Sequence, residues 1–220
     1  MDFPYSPLRP RDPTWFPPTH HADPDGLLAY GGDLSPARLL AAYQRGIFPW
    51  SSDDEPLLWW SPDPRCVLVP DELSVSHSMR SVLRKDTFAF RHNTACAAVI
   101  EACRTTPRVG QDGTWIMPEI KAAYLRLHAL GVVHSAEAWQ DDRLVGGLYG
   151  VWLGGVFFGE SMFSHVPNAS KFAFIRWVQH AQAAGVALID CQQATSHLLS
   201  LGARLIPRAD FEARLARLIG

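Results

Sequence analysis

The chain has 220 residues, 47% of them hydrophobic, enough for a sizeable core in one compact domain with an appendage. A formal net charge of -2 excludes a protein that coats nucleic acid over its whole surface, although a local basic patch can still hold one. No apolar run approaches the roughly 18 residues that span a bilayer, and Met1-Asp2-Phe3-Pro4 has no basic flank or apolar run, so a cytoplasmic protein without a membrane partner is expected.

Pro4, Pro7, Pro10, Pro13, Pro17, Pro18 and Pro24 precede the first helical pattern, a composition that favours an irregular lead-in. Ser35 as N-cap, Pro36 at the first helical position and Gly46 as C-cap then bound a helix of about three turns. Trp59 and Trp60 follow, against the Pro-bounded turn Ser61-Pro62-Asp63-Pro64, and a domain boundary is placed there: a small N-terminal domain over 1–64 and a catalytic domain over 65–220. From Arg65 the pattern is regular, with strands over 66–69 and 88–92 and helices over 94–104 and 118–130, the last closed by Gly131. Strands over 132–139, 144–153 and 156–163, joined by Asp141-Asp142 and Gly154-Gly155, read as an antiparallel meander. A helix over 170–184 closed by Gly185, a strand over 187–191, a short helix from Thr195 to Gly202, a strand over 204–206 and a helix from about Asp210 complete the chain. The order matches a GNAT-type acyltransferase core, an α/β (α+β) fold with a mixed, largely antiparallel sheet. That match is an analogy of fold and does not fix function.

Two strand-like runs carry a carboxylate, Glu160 in Gly159-Glu160-Ser161-Met162-Phe163-Ser164 and Asp190 in Leu188-Ile189-Asp190-Cys191-Gln192. An ionised carboxylate is costly to bury without a partner, so one alone reads as a structural polar network, whereas two beside aromatic, Met and Gln side chains point to a site. Such a site holds an apolar group beside a cation. Cys66, Cys96, Cys103 and Cys191 show no CxxC spacing, which suggests reduced thiols and neither a zinc knuckle nor a disulfide framework. Cys191 with His197 as nucleophile and base is disfavoured, since a Cys in an apolar strand is usually inert, and His20-His21 has no second pair at ligand spacing. Gly146, Gly147 and Gly150 stand in a strand context, where close backbone packing is a better reading than a phosphate loop.

Several long segments resemble one family, the bacterial leucyl/phenylalanyl-tRNA–protein transferases: 26–34, Tyr43-Gln44-Arg45-Gly46-Ile47-Phe48-Pro49-Trp50, Trp59-Trp60-Ser61-Pro62-Asp63-Pro64-Arg65, Gly113-Thr114-Trp115-Ile116, His134-Ser135, 146–151, 159–164, Ala169-Ser170-Lys171 and Ile189-Asp190-Cys191-Gln192. They span about 26–206, most of the chain. Trp177 stands where the resemblance implies a Phe, and the chain ends soon after its last helix. The resemblance implies transfer of Leu, Phe or Met from aminoacyl-tRNA to the α-amine of a protein starting with Arg or Lys, marking it for degradation, with Asp190 and Gln192 as the catalytic pair. An aminoacyl ester is already activated, so no cofactor and no metal are expected, in keeping with the absence of GxxxxGK[ST] and HExxH motifs. An α-amine of pKa about 7.7 to 8.0 also needs no strong base. On this reading Gln192 orients the amine and Asp190 polarises Gln192 and stabilises the ammonium-like transition state, while the proton ends on the departing ribose oxygen. Glu160 takes the cationic end of the acceptor peptide. Phe157, Met162, Ile189 and Leu148 form the aminoacyl pocket, Trp50 and Trp115 stack on the terminal adenosine, and Arg80, Arg84 and Lys85 grip acceptor-stem phosphates. A monomer is expected. Two other readings stay open: a small-molecule GNAT acetyltransferase that binds coenzyme A, and a non-catalytic reader of basic N-termini that uses Glu160 and Asp190 as a carboxylate clamp.

Overall fold

The computed structural model describes residues 6–8, 12–52, 55–107 and 114–220; Pro4, Pro10 and Gly113 lie outside them. The lead-in is more ordered than its prolines suggest. β1 (Ser6–Leu8), β2 (Leu27–Gly31), β3 (Phe48–Pro49) and β4 (Leu58–Trp60) form a sheet in the order β1-β2-β4-β3, parallel between β1 and β2 and otherwise antiparallel. Pro7 and Pro49 fall on its two edge strands, where a missing backbone N–H breaks no ladder. Between β2 and β3, α1 (Pro36–Tyr43) begins at Ser35, whose hydroxyl accepts from the Arg38 N–H at 3.4 Å. It is shorter than expected, because the chain already turns out of the helix ahead of Gly46. Gly46, at φ +72°, gives its N–H to Tyr43 and Ile47 gives its own to Ala42, the paired bonds that close a Schellman end.

The second sheet begins at β5 (Arg65–Leu68) and continues through α2 (His77–Arg84), β6 (Ala89–His92), α3 (Cys96–Thr105), α4 (Pro118–Ala129), β7 (Val133–Gln140), β8 (Arg143–Leu153), β9 (Val156–Ser164), α5 (Ala169–Ala183), β10 (Leu188–Gln192), α6 (Ser196–Ser200), β11 (Arg204–Ile206) and α7 (Arg208–Leu218). Strand order is β11-β5-β10-β9-β8-β7-β6, and among these pairs only β9 with β10 is parallel. The fold is therefore α+β on a mixed, largely antiparallel sheet, with the element order expected of a GNAT-type core. Asp141 and Asp142 both take φ near +50°, as a tight hairpin turn requires.

Alternation along the strands sorts side chains onto two faces. Val67, Phe158 and Leu188 join Ile100, Tyr124 and the first sheet's Trp59 in one buried cluster, so the two sheets share a core. Cys66, Phe157 and Ile189 join Phe172, Trp177 and Val178 of α5 in the other. No helix among the described residues is long and apolar enough to cross a membrane.

Candidate functional site

Two β-bulges face each other across the parallel pair of β9 and β10. On β9, Gly159 pairs with Gly150 and Ser161 with Tyr149, so Glu160 is an extra residue with no partner in the ladder. On β10, Asp190 pairs with Val67 and Gln192 with Cys66, which makes Cys191 the extra residue. Bulges of this kind re-aim side chains beside functional sites. Gln192 also takes φ +61°, a left-handed conformation that costs a non-glycine residue about 1–3 kcal/mol and is retained mainly where function requires it.

Next to the bulges lies a cavity of about 370 Å³, walled by Leu148, Met162, Phe174 and Ile189 and carrying Glu160 and Gln192 on its surface. Tyr43, at the end of α1, donates its hydroxyl to Glu160 Oε1 at 2.7 Å, and Tyr124 of α4 donates to Oε2 at 2.8 Å. The two phenol oxygens also lie against each other, each with its single proton turned to Glu160. Gln192 Nε2 donates to Glu160 Oε1 at 3.2 Å. Burial pushes the Glu160 carboxyl up to about 7; the two phenol bonds and Arg65 hold it lower than burial alone would, and the Asp190 charge raises it further. Both tyrosines are driven well above the ordinary phenol value, first by burial and then by the Glu160 charge.

Asp190 is fully buried and engaged from behind. Arg65 of β5 clamps it with two bonds, Nε to Oδ1 at 2.8 Å and Nη2 to Oδ2 at 2.6 Å, and the guanidinium lies 4.8 Å from the Phe48 ring and 4.7 Å from the Phe211 ring. Asp190 Oδ1 also accepts the backbone N–H of Gln192 at 2.9 Å. This corrects one expectation. The carboxylate bonded to the Gln192 side chain is Glu160, while Asp190 holds the Gln192 backbone in its bulge.

The expected pocket residues separate likewise. Leu148, Met162 and Ile189 stand on the cavity wall, but Phe157 does not. Its ring packs against Trp177, centroids 4.7 Å apart, because α5 covers that part of the sheet and takes the contact a ligand would have made. Phe174 stands on the wall instead; nothing in the periodicity of its helix marks it. Trp115 is buried on the wall of a second cavity of about 560 Å³, with Asp33, Ser51, Glu119 and Arg126. On α4, Ile120 lines this second cavity, and Tyr124, one turn on, holds Glu160 of the first. Trp50 is 40% exposed, its ring edge-on to Trp60 at 5.7 Å. Arg80 and Arg84 on α2 and Lys85 at its end are exposed and line neither cavity. The neighbouring Cys66 thiol and burial push the Cys191 thiol well above its ordinary value, no basis for a nucleophile paired with His197. Gly146 and Gly150 mark close packing as expected, since an added Cβ would sit 2.6 Å from Ala169 Cβ and 2.2 Å from the Phe158 carbonyl oxygen respectively.

A family model for the leucyl/phenylalanyl-tRNA protein transferase matches residues 67–216, and one for the N-terminal domain of that transferase matches residues 32–63. A leucyl/phenylalanyl-tRNA–protein transferase of Aromatoleum aromaticum is 60% identical over 203 residues, 91% of this chain and 85% of the relative. One from Nitratidesulfovibrio vulgaris is 56% identical over 208 residues, 94% of this chain and 89% of that one. A solved GCN5-related N-acetyltransferase from Kribbella flavida is 12% identical with a TM-score of 0.40, covering 79% of this chain and 61% of its own, a likeness too loose to bear on the site. With both segments and nearly the full length of its relatives matched, the chain belongs to the leucyl/phenylalanyl-tRNA–protein transferase family.

Proposed function

We propose that the chain transfers Leu, Phe or Met from aminoacyl-tRNA to the α-amine of a protein that begins with Arg or Lys, tagging it for degradation. One observation carries this reading: a largely apolar cavity has a carboxylate and an amide, Glu160 and Gln192, side by side on its wall. The apolar wall of Leu148, Met162, Phe174 and Ile189 takes the aminoacyl side chain. A carboxylate offers about four lone-pair sites. The phenols of Tyr43 and Tyr124 and the amide of Gln192 occupy three, so one is left for the guanidinium or ammonium of the acceptor's first residue. The acceptor amine attacks the ester carbonyl, a C–N bond replaces the C–O bond, and the amine proton ends on the ribose oxygen. Gln192 positions the amine, and Asp190, fixed by Arg65, holds Gln192 in place. Trp115 in the second cavity and exposed Trp50 stack on the terminal adenosine, and Arg80, Arg84 and Lys85 meet phosphates. The same reading divides the chain into units at 1–64 and 65–220, supported by the change of sheet between β4 and β5.

A transfer assay with leucyl-tRNA and an Arg-starting protein tests the proposal, and Met162→Ala tests the pocket. A wall fitted to an unbranched Cβ should penalise Ile against Leu by about 1–3 kcal/mol, so the variant should lower Leu transfer while raising Ile relative to Leu in a competition. No transfer together with turnover of acetyl-coenzyme A would favour the acetyltransferase. Peptide binding that needs no tRNA and leads to no transfer would favour the reader.

A further inference from the structure

Cys66 and Cys191 belong to no step described above. They lie on adjacent antiparallel strands, β5 and β10, at the bulge where Cys191 and Gln192 together face Cys66. Cα atoms of neighbours on such strands stand about 4.5–5.5 Å apart, within the about 4.4–6.8 Å that a disulfide spans. Both side chains pack into the same apolar cluster beneath α5, hence on the same face of the sheet. Each thiol is the largest influence on the other, holding Cys66 below its ordinary value and Cys191 above it. Their surroundings differ: Cys66 is fully buried, while Cys191 is on the wall of the substrate cavity. A small oxidant entering the cavity reaches the pair at Cys191, with the more acidic Cys66 thiol behind it.

We propose that Cys66 and Cys191 form a reversible disulfide that switches the site off under peroxide. Hydrogen peroxide, reaching the pair through the cavity, converts the Cys66 thiol, held below its ordinary value by its neighbour, to a sulfenic acid and leaves as water. The adjacent Cys191 sulfur then attacks the Cys66 sulfur, the S–O bond breaks, and a second water carries away the oxygen and both protons. The new bond draws the bulge toward β5. Gln192, next in the chain and already left-handed, loses its 3.2 Å bond to Glu160, and the amine is no longer positioned.

The proposal is tested on the full chain, treated with hydrogen peroxide, digested without reductant and mapped by mass, with leucyl transfer measured before and after dithiothreitol. The expected result is a Cys66–Cys191 linked peptide lighter by two hydrogens, a loss of transfer in proportion to the linked fraction, and recovery of both on reduction. Cys66→Ala should transfer normally before treatment, yield no linked peptide and show no loss that reductant reverses. Loss of transfer without that peptide, linkage through Cys96 or Cys103 instead, or the linked peptide with unchanged transfer would each overturn it. The inference rests on the transferase reading only for its effect on activity. Linkage is read by mass, so an untreated protein that transfers nothing would fail that reading and leave the disulfide measurable.

Discussion

Glu160 carries the acid–base signature of the site. Its carboxyl is raised to about 7, first by burial, from an unfolded value of about 4.3. A group raised in this way contributes stability that is fully present below the unfolded value and is lost as pH rises through the folded one. From pH about 4.5 to 7 the wild type should therefore lose on the order of 2 to 4 kcal/mol that Glu160→Gln does not lose. Urea titrations of both proteins at the two ends of that window measure the difference, and parallel curves would refute it. Asp190 behaves differently. Asp190→Ala strands the buried Arg65 guanidinium, so it should cost about 3–5 kcal/mol of folding stability and confound any loss of transfer. Gln192→Ala removes no buried charge and should slow single-turnover transfer while leaving the urea midpoint nearly unchanged. Both carboxylates were legible as charges inside apolar runs. Arg65 was not, because its partner lies 125 positions away and a buried cation is recognisable only once paired. Tyr43 and Tyr124 were hidden for the same reason: a Tyr in an apolar helix reads as core until its hydroxyl has somewhere to point.

At the scale of elements, the bulge of β9 depends on a close approach at Gly150, where an added Cβ would lie 2.2 Å from the Phe158 carbonyl oxygen and 2.5 Å from Phe157 Cζ. Neither the backbone nor a ring packed on Trp177 can yield cheaply. Gly150→Ala should cost at least about 1–3 kcal/mol and disturb the register that presents Glu160. Gly131→Ala, at φ +74° but in open space, should cost only about 1 kcal/mol, and comparing the two melting temperatures checks the contrast. The meander, its turns and the helices around it were legible because their periods and breakers run for many residues. The first sheet was not, since strands of two to five residues are too short for alternation to register and proline argues against them until it is known to sit on an edge. Bulges leave no mark in a single sequence; they are properties of a pair of strands.

For the molecule as a whole, a net charge of -2 leaves attraction for tRNA to a local patch, and α2 offers one on an exposed face. Arg80→Glu with Arg84→Glu should weaken binding of every aminoacyl-tRNA alike and reduce the slope of log affinity against log salt by about one for each phosphate no longer neutralised. Unchanged affinity at low salt would leave the run as a solvated helix face. Family membership was legible over most of the chain, but the stacking of Arg65 was not, and it has a consequence for biosynthesis. One ring over that guanidinium comes from the first sheet and the other from the last helix. Translation delivers Phe48 long before Phe211. A nascent chain still short of α7 has the ion pair behind its bulge open on one side, with water free to compete for Asp190. The backing of Asp190 is thus sealed only once α7 has been made and has docked, so a ribosome-bound chain without it should hold its bulge less firmly than the finished fold.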